Sequence, residues 1–222
     1  MGIISIENKD RLYWLGRYSE RVYTTIRLFA DSFDDMIDHY KDRYADFCAE
    51  LDIPNIYTSG EDFIRRYCFD GEDPNSIFSN LIRAYDNGVT LREELGSETL
   101  SYIQLAVYEM NRARVSPSPL IELQKVKDNL MAFWGMVDDS VDKDNVRNII
   151  KVGKRIERLD LYARLRMPAK EMMREASRLA ARIDQTGMKY HIEYIYQIQE
   201  LVSAEKIDYY KVVEKVENLL EV

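Results

Sequence analysis

Histidine, cysteine, proline and glycine are all scarce in this sequence: 222 residues contain two histidines, two cysteines, five prolines and nine glycines. The shortage of glycine and proline excludes a turn-rich β-sandwich or barrel and favours long helices. Cys48 and Cys68 are too few for a disulfide framework, so a reduced, cytoplasmic protein is expected. Those two cysteines and the distant His39 and His191 have no zinc-ligand spacing, and no metal or cofactor is expected. No apolar run approaches the ~18 residues of a membrane span. The first seven residues lack the basic and then apolar pattern of a secretory leader, and Ile6 stands where N-myristoylation wants Ser or Thr. Positive charge is also short. Lys and Arg total 31 against 39 Asp and Glu, a net charge of −8, which argues against non-specific binding to nucleic acid or an anionic membrane.

What is present is apolar and periodic. Apolar residues make up 46% and charged residues 32%, a globular composition long enough to bury a core. At ~100–200 residues per domain, one domain over 1–222 is expected, and no composition shift marks a boundary. Leu15, Tyr18, Val22, Ile26, Phe29, Phe33, Met36, Tyr40, Tyr44, Phe47 and Leu51 recur every three or four residues. That spacing predicts one helix, or two in line, over 6–51, ended by Pro54. Further helices are expected over 61–69, 75–95, 97–115 with Ser97 as N-cap, 120–137, 142 or 144 to 166, 168–184, 191–202 and 208–220. The weakest joint is the loop at 53–60. No segment alternates as a strand does, so the fold class is an all-α bundle of seven to nine helices with no sheet. The sixteen tyrosines, many at seam positions such as Tyr18, Tyr40 and Tyr44, are expected to be mostly core and interface material, and homo-oligomerisation is compatible with them.

One face of the first helix is polar where the rest is apolar. Arg17, Glu20, Thr24 and Arg27 are spaced by three and four, so they line up on one side. Gly16 next to that line allows another backbone to come close. The pattern recurs. Gly16-x-x-x-Glu20-Arg21, five residues, Arg27-Leu28 is matched by Gly153-x-x-x-Glu157-Arg158, five residues, Arg164-Leu165. Adjacent helical residues point ~100° apart, so a Glu-Arg dipeptide cannot face one partner squarely. Reciprocal pairing across two crossing helices, the Glu of one with an Arg of the other, satisfies both.

Three stretches carry a family resemblance. Leu12-Tyr13-Trp14-Leu15-Gly16-Arg17-Tyr18-Ser19-Glu20-Arg21 resembles the opening motif of the alpha-E family, bacterial all-helical proteins with a recurring Glu-Arg motif. Ala84-Tyr85-Asp86-Asn87-Gly88, followed by Leu91-Arg92-Glu93-Glu94-Leu95-Gly96-Ser97-Glu98, is similar to its central segment. Val152-Gly153-Lys154-Arg155-Ile156-Glu157-Arg158-Leu159-Asp160 resembles its second Glu-Arg helix. The motif-bearing region is 6–166, and the helices of 168–222 resemble nothing specific. The chain departs from the family pattern at Val22-Tyr23, where Ala-Glu is common, at Tyr85, where Arg is common, and at Gly88, where Ala is common.

The resemblance implies a setting in peptide synthesis or modification, beside an ATP-grasp-type ligase or a transglutaminase-like protein. Its candidate binding residues here are Arg17, Glu20, Arg21, Asn87, Arg92, Glu93, Glu157 and Arg158. Arginine forks with an asparagine suit a carboxylate or phosphate, as on a peptide ligand, and the glutamates would orient them. The alternative is an enzyme that uses the same Arg, Glu and Asn cluster on an amide or acyl-activated peptide. A purely structural ion-pair network is the third reading of these residues. Asp34-Asp35-x-x-Asp38 and Asp138-Asp139-x-x-Asp142 resemble the paired magnesium-diphosphate motifs of trans-prenyl diphosphate synthases, a less favoured reading. Asp35 and His39 are read as a surface pair. No nucleophile elbow, P-loop or G-x-G-x-x-G is present in the sequence.

Overall fold

The computed structural model describes residues 4–38 and 43–221, and the side chains of all of these except 29–38. Among the described residues there are eleven α-helices and no strand. They are α1 Ile6–Asp38, α2 Arg43–Leu51, α3 Gly60–Phe69, α4 Ile77–Thr90, α5 Arg92–Leu95, α6 Ser97–Arg114, α7 Pro119–Ser140, α8 Asp144–Arg164, α9 Ala169–Ile183, α10 Ile192–Ser203 and α11 Tyr209–Glu217. The all-α class holds. The two helices beyond the nine expected are α2, which the apolar spacing joins to α1, and the single turn α5. An isolated bridge between Tyr190 and Leu220 ties the C-terminus to the segment before α10.

The chain forms two compact units. The first holds Met1–Arg17 and Lys143–Val222, and the second holds Tyr18–Asp142. One boundary falls inside α1, which explains why neither composition nor a loop announces it. The loop at 53–60 is internal to the second unit.

In the first unit the core comes from four helices with the same three-four spacing. α8 gives Val152, Ile156, Leu159 and Ala163; α9 gives Met172, Ala176, Leu179 and Ile183. α10 adds Ile195, Ile198 and Val202, and α11 adds Val212, Val216 and Leu219. α8 packs on α9 and α11, and α10 packs on both α9 and α11. Each stripe buries side chains worth ~1.5–3 kcal/mol apiece, which is what holds helices this short in place.

In the second unit α6 and α7 form a hairpin around the turn at 115–118. Ile103, Ala106, Met110 and Ala113 lie buried on α6, and Leu123, Val126, Leu130, Phe133 and Val137 on α7. An aromatic cluster of Tyr44, Phe47, Tyr57, Phe63 and Tyr67 fills the space under α2 and α3. Tyr57 extends it to a buried polar anchor by donating to Asp73 at 2.8 Å. Ser59 and Ser76 cap α3 and α4 through their hydroxyls. Ser97, expected as a cap, is instead the first residue of α6. Gly96 holds the cap position at φ 78°, a conformation other residues resist, and the Ser97 hydroxyl accepts from Arg92 Nε at 3.0 Å. Cys48 and Cys68 are buried free thiols, and burial pushes both up from their ordinary pKa.

Residues 6–17 of α1 cross α8 at two glycines. A Cβ on Gly16 would fall 2.1 Å from the Ile150 carbonyl oxygen, and one on Gly153 would fall 2.2 Å from the Tyr13 carbonyl oxygen. Each glycine therefore meets the carbonyl three residues before the other, so the sequence repeat is used symmetrically. Backbone cannot yield as a flexible side chain does. Gly16→Ala and Gly153→Ala should each destabilise the protein by at least ~2 kcal/mol, read as a lowered urea midpoint. Gly135→Ala, on an exposed turn of α7 with nothing within 4 Å, should raise stability by ~0.5–1 kcal/mol, read as a higher urea midpoint, since helical glycine is the less favourable residue.

Candidate functional site

The glycine crossing brings Arg17, one residue after Gly16, against Glu157, four residues after Gly153. Arg17 Nε donates to Glu157 Oε2 at 2.6 Å. The glutamate is fully buried and the arginine side chain is 12% exposed. Arg17 Nη1 donates to the Tyr13 hydroxyl at 3.3 Å, and the guanidinium lies 5.2 Å from the Trp14 ring centroid and 5.8 Å from that of Tyr13. The guanidinium is thus fixed by a carboxylate on one side and aromatic surface on the other. Burial works against its charge, but Glu157, Tyr13 and Asp160 outweigh that and hold its pKa above the ordinary arginine value. Burial likewise raises the Tyr13 phenol, and Arg17 only partly offsets it.

Asp160 extends this network one turn along α8. It is buried, and it accepts from Arg164 Nε at 3.0 Å. Arg164 Nη2 reaches Glu217 on α11 at 2.5 Å. Burial first, and the neighbouring Glu157 second, push the Asp160 carboxyl up to about 6, although Arg164 and Arg17 pull the other way. Asp160 occupies the place in the second repeat that Tyr23 occupies in the first. The carboxylate missing after Glu20-Arg21 thus has a counterpart after Glu157-Arg158.

Arg158 meets a different partner. Glu175, on the apolar side of α9, is fully buried, and its carboxylate accepts from Arg155 at 2.5 Å and from Arg178 at 3.0 Å. Arg158 approaches it to 3.7 Å and Arg174 to 3.4 Å. Burial would raise the Glu175 pKa, yet the surrounding guanidiniums outweigh that and lower it. In the first unit, Asp160 and Glu175 are buried carboxylates that motif reading missed. A signal existed: Glu175 stands between Met172 and Leu179 on the apolar stripe, and Asp160 stands one turn from Glu157.

The second unit holds the remaining candidates. Glu20 is fully buried and accepts from the Thr24 hydroxyl at 2.5 Å. The polar line of α1 is therefore interior at Glu20 and Thr24. Arg21 is half-buried, and its charge acts on the buried Tyr67 phenol, which burial raises above its ordinary pKa. Asn87 is half-buried on α4, and its backbone carbonyl accepts from Leu91 where that helix ends. Arg92 and Glu93 are exposed on the single turn α5. Side chains of the first aspartate motif, Asp34, Asp35 and Asp38, and the Asp35–His39 pair lie outside the described residues. Asp138 and Asp139 stand exposed in the last turn of α7, with Asp142 exposed beyond it. Among the described residues no group of three or more His, Cys, Asp or Glu is placed to hold a metal ion, and no helix is long and apolar enough to cross a membrane.

These features define an all-helical protein in which two long helices cross at paired glycines and both glutamates of a repeated Glu-Arg dipeptide are buried. The chain belongs to the Alpha-E family, whose model is described as a predicted alpha-helical domain with a conserved ER motif and matches residues 8–203. No curated protein and no solved structure matches the chain.

The buried charges have measurable consequences. Glu157→Gln leaves Arg17 buried beside a neutral amide and should cost ~3–5 kcal/mol by urea denaturation. Asp160 has an ordinary pKa of 3.8 and a folded value of about 6, so between these the folded state binds more protons than the unfolded one. Stability contributed at this group is therefore greatest below pH ~4, falls as pH rises to ~6 and is level above. Asp160→Asn should remove that slope, so the difference between variant and wild-type unfolding free energies should change by an amount of order 2 kcal/mol between pH 4 and 7 and be level beyond.

Proposed function

We propose that this protein is a peptide-binding helical module rather than the source of the chemistry, and that it serves a peptide synthesis or modification system. Its partner in that role is an ATP-grasp-type ligase or a transglutaminase-like protein. The observation that carries the reading is the state of Arg17. Its Nε is committed to Glu157 and its Nη1 to Tyr13, which leaves Nη2 as a donor on a guanidinium already oriented and backed by Trp14. A preorganised arginine with a donor to spare suits one end of a carboxylate, because little ordering cost is left for the ligand to meet. The C-terminal carboxylate of a short peptide is the group that fits.

The test compares two random pentapeptide pools on the full chain, one with free C-terminal carboxylates and one amidated, with bound peptide read by mass spectrometry. The free-acid pool should be retained and the amidated pool depleted at least ~10-fold, the effect of losing a charge-assisted pair worth ~1.5–3 kcal/mol. Arg17→Lys, which keeps the charge but loses the fork, should lower retention of the free-acid pool several-fold. Equal retention of the two pools, or of the free-acid pool by wild type and variant, would overturn the reading.

A further inference from the structure

The α8/α9 contact carries a second polar row, distinct from Arg17 and its partners. α8 contributes Asn148, Lys151 and Arg155 at i, i+3 and i+7, and α9 contributes Glu175, Arg178 and Arg182 at the same spacing. The two halves of the row are joined at both ends. Arg182 Nη1 donates to Asn148 Oδ1 at 3.0 Å, and Arg155 Nη1 donates to Glu175 Oε2 at 2.5 Å. Buried cations are ordinarily matched by carboxylates. Here Glu175 is shared by the largely buried Arg155 and Arg158 and by the exposed Arg174 and Arg178, while the described partner of Arg182 is a neutral amide. Arg155 Nε is buried without a hydrogen-bond partner.

The electrostatic contrast with Arg17 is direct. At Arg17 nearby carboxylates favour the cation. At Arg155 burial, Arg158 and Arg178 together outweigh Glu175 and lower its pKa. At buried Lys151 the pKa falls to about 8 through burial, Arg182 and Arg155. Cations concentrated this way in a chain of net charge −8 are not a by-product of composition.

We propose that Lys151, Arg155, Arg178 and Arg182, with Asn148, form a binding site for a phosphate group. Phosphate fits better than carboxylate because it carries close to two charges near pH 7 and offers three oxygens to guanidinium forks arriving from two helices. The group can come from free inorganic phosphate or from the end of a nucleotide. This site stands apart from the peptide reading, since it uses neither Arg17 nor Glu157.

Thermal denaturation of the full chain in inorganic phosphate, ADP, acetate and chloride at matched ionic strength tests the assignment. Phosphate at ~10 mM should raise the midpoint above that in chloride, as binding to the folded state requires. The rise should be lost in Arg182→Gln and reduced in Arg178→Gln, which separates it from a general salt effect. ADP acting at a tenfold lower concentration than phosphate assigns a nucleotide source, and ADP acting at equal or higher concentration assigns free phosphate. If either variant fails to fold, phenylglyoxal modification of the wild-type protein gives the second readout. Phosphate should protect Arg155, Arg178 and Arg182, and should leave Arg114 unprotected. No rise over chloride, a rise of equal size in acetate, an undiminished rise in folded Arg182→Gln, or absence of protection would each overturn the site.

Discussion

The close approach of α1 and α8 at Gly16 and Gly153 is the constraint on which the polar interior of the first unit rests. Each glycine admits a carbonyl of the other helix where a methyl group would collide with it. Backbones that come this near carry their flanking side chains into contact whatever their polarity. Arg17 and Glu157, next to the crossing in sequence, are therefore pressed together and removed from water. A charge in that position has to be matched, and the 2.6 Å bond between them does so. The glycines and the ion pair are one device: without the glycines the charges would not be buried, and without the pair the crossing would bury an unmatched charge.

The first unit treats buried charge in two ways. Around Arg17 each cation has an acid within reach, from Glu157 through Asp160 and Arg164 to Glu217. Such a chain fixes the register of α8 against α1 and α11, because sliding either helix by one turn would separate several pairs at once. Between α8 and α9 the balance tilts to positive, with one buried glutamate held by several guanidiniums. The same helix α8 serves both arrangements, since residues three and four apart share a face and adjacent residues do not. Glu157 and Arg158 accordingly turn to different partners, Arg17 on one side and Glu175 on the other. The described partner of Glu157 is Arg17, the arginine that follows Gly16, which lies outside the Glu-Arg dipeptide.

Much of the helical architecture is legible in residue order alone. The three-four spacing locates nearly every helix, because burial of one stripe is what a helix of ordinary length depends on. The exceptions are local. α5 and the cap at Gly96 turn on a positive φ that no periodicity records. Arg92 and Glu93 are exposed because the single turn directs Leu91 and Leu95, four residues apart, inward and the residues just after Leu91 outward. Glu175 and Asp160 are visible as acids within apolar stripes, yet an acid in a stripe acquires meaning only when its partner is known.

By itself the sequence determined the helical class, the repeated glycine-to-glutamate spacing and the family pattern, because these are properties of residue order along a single helix. Tertiary structure alone decided which of 31 basic and 39 acidic residues leave water, and which of them meet. Arg17 finds Glu157 across 140 residues of chain. Arg155 and Arg178 find Glu175 from two different helices. Pairing of that kind depends on which helix faces land together, and the sequence repeat carries the spacing but not the partner.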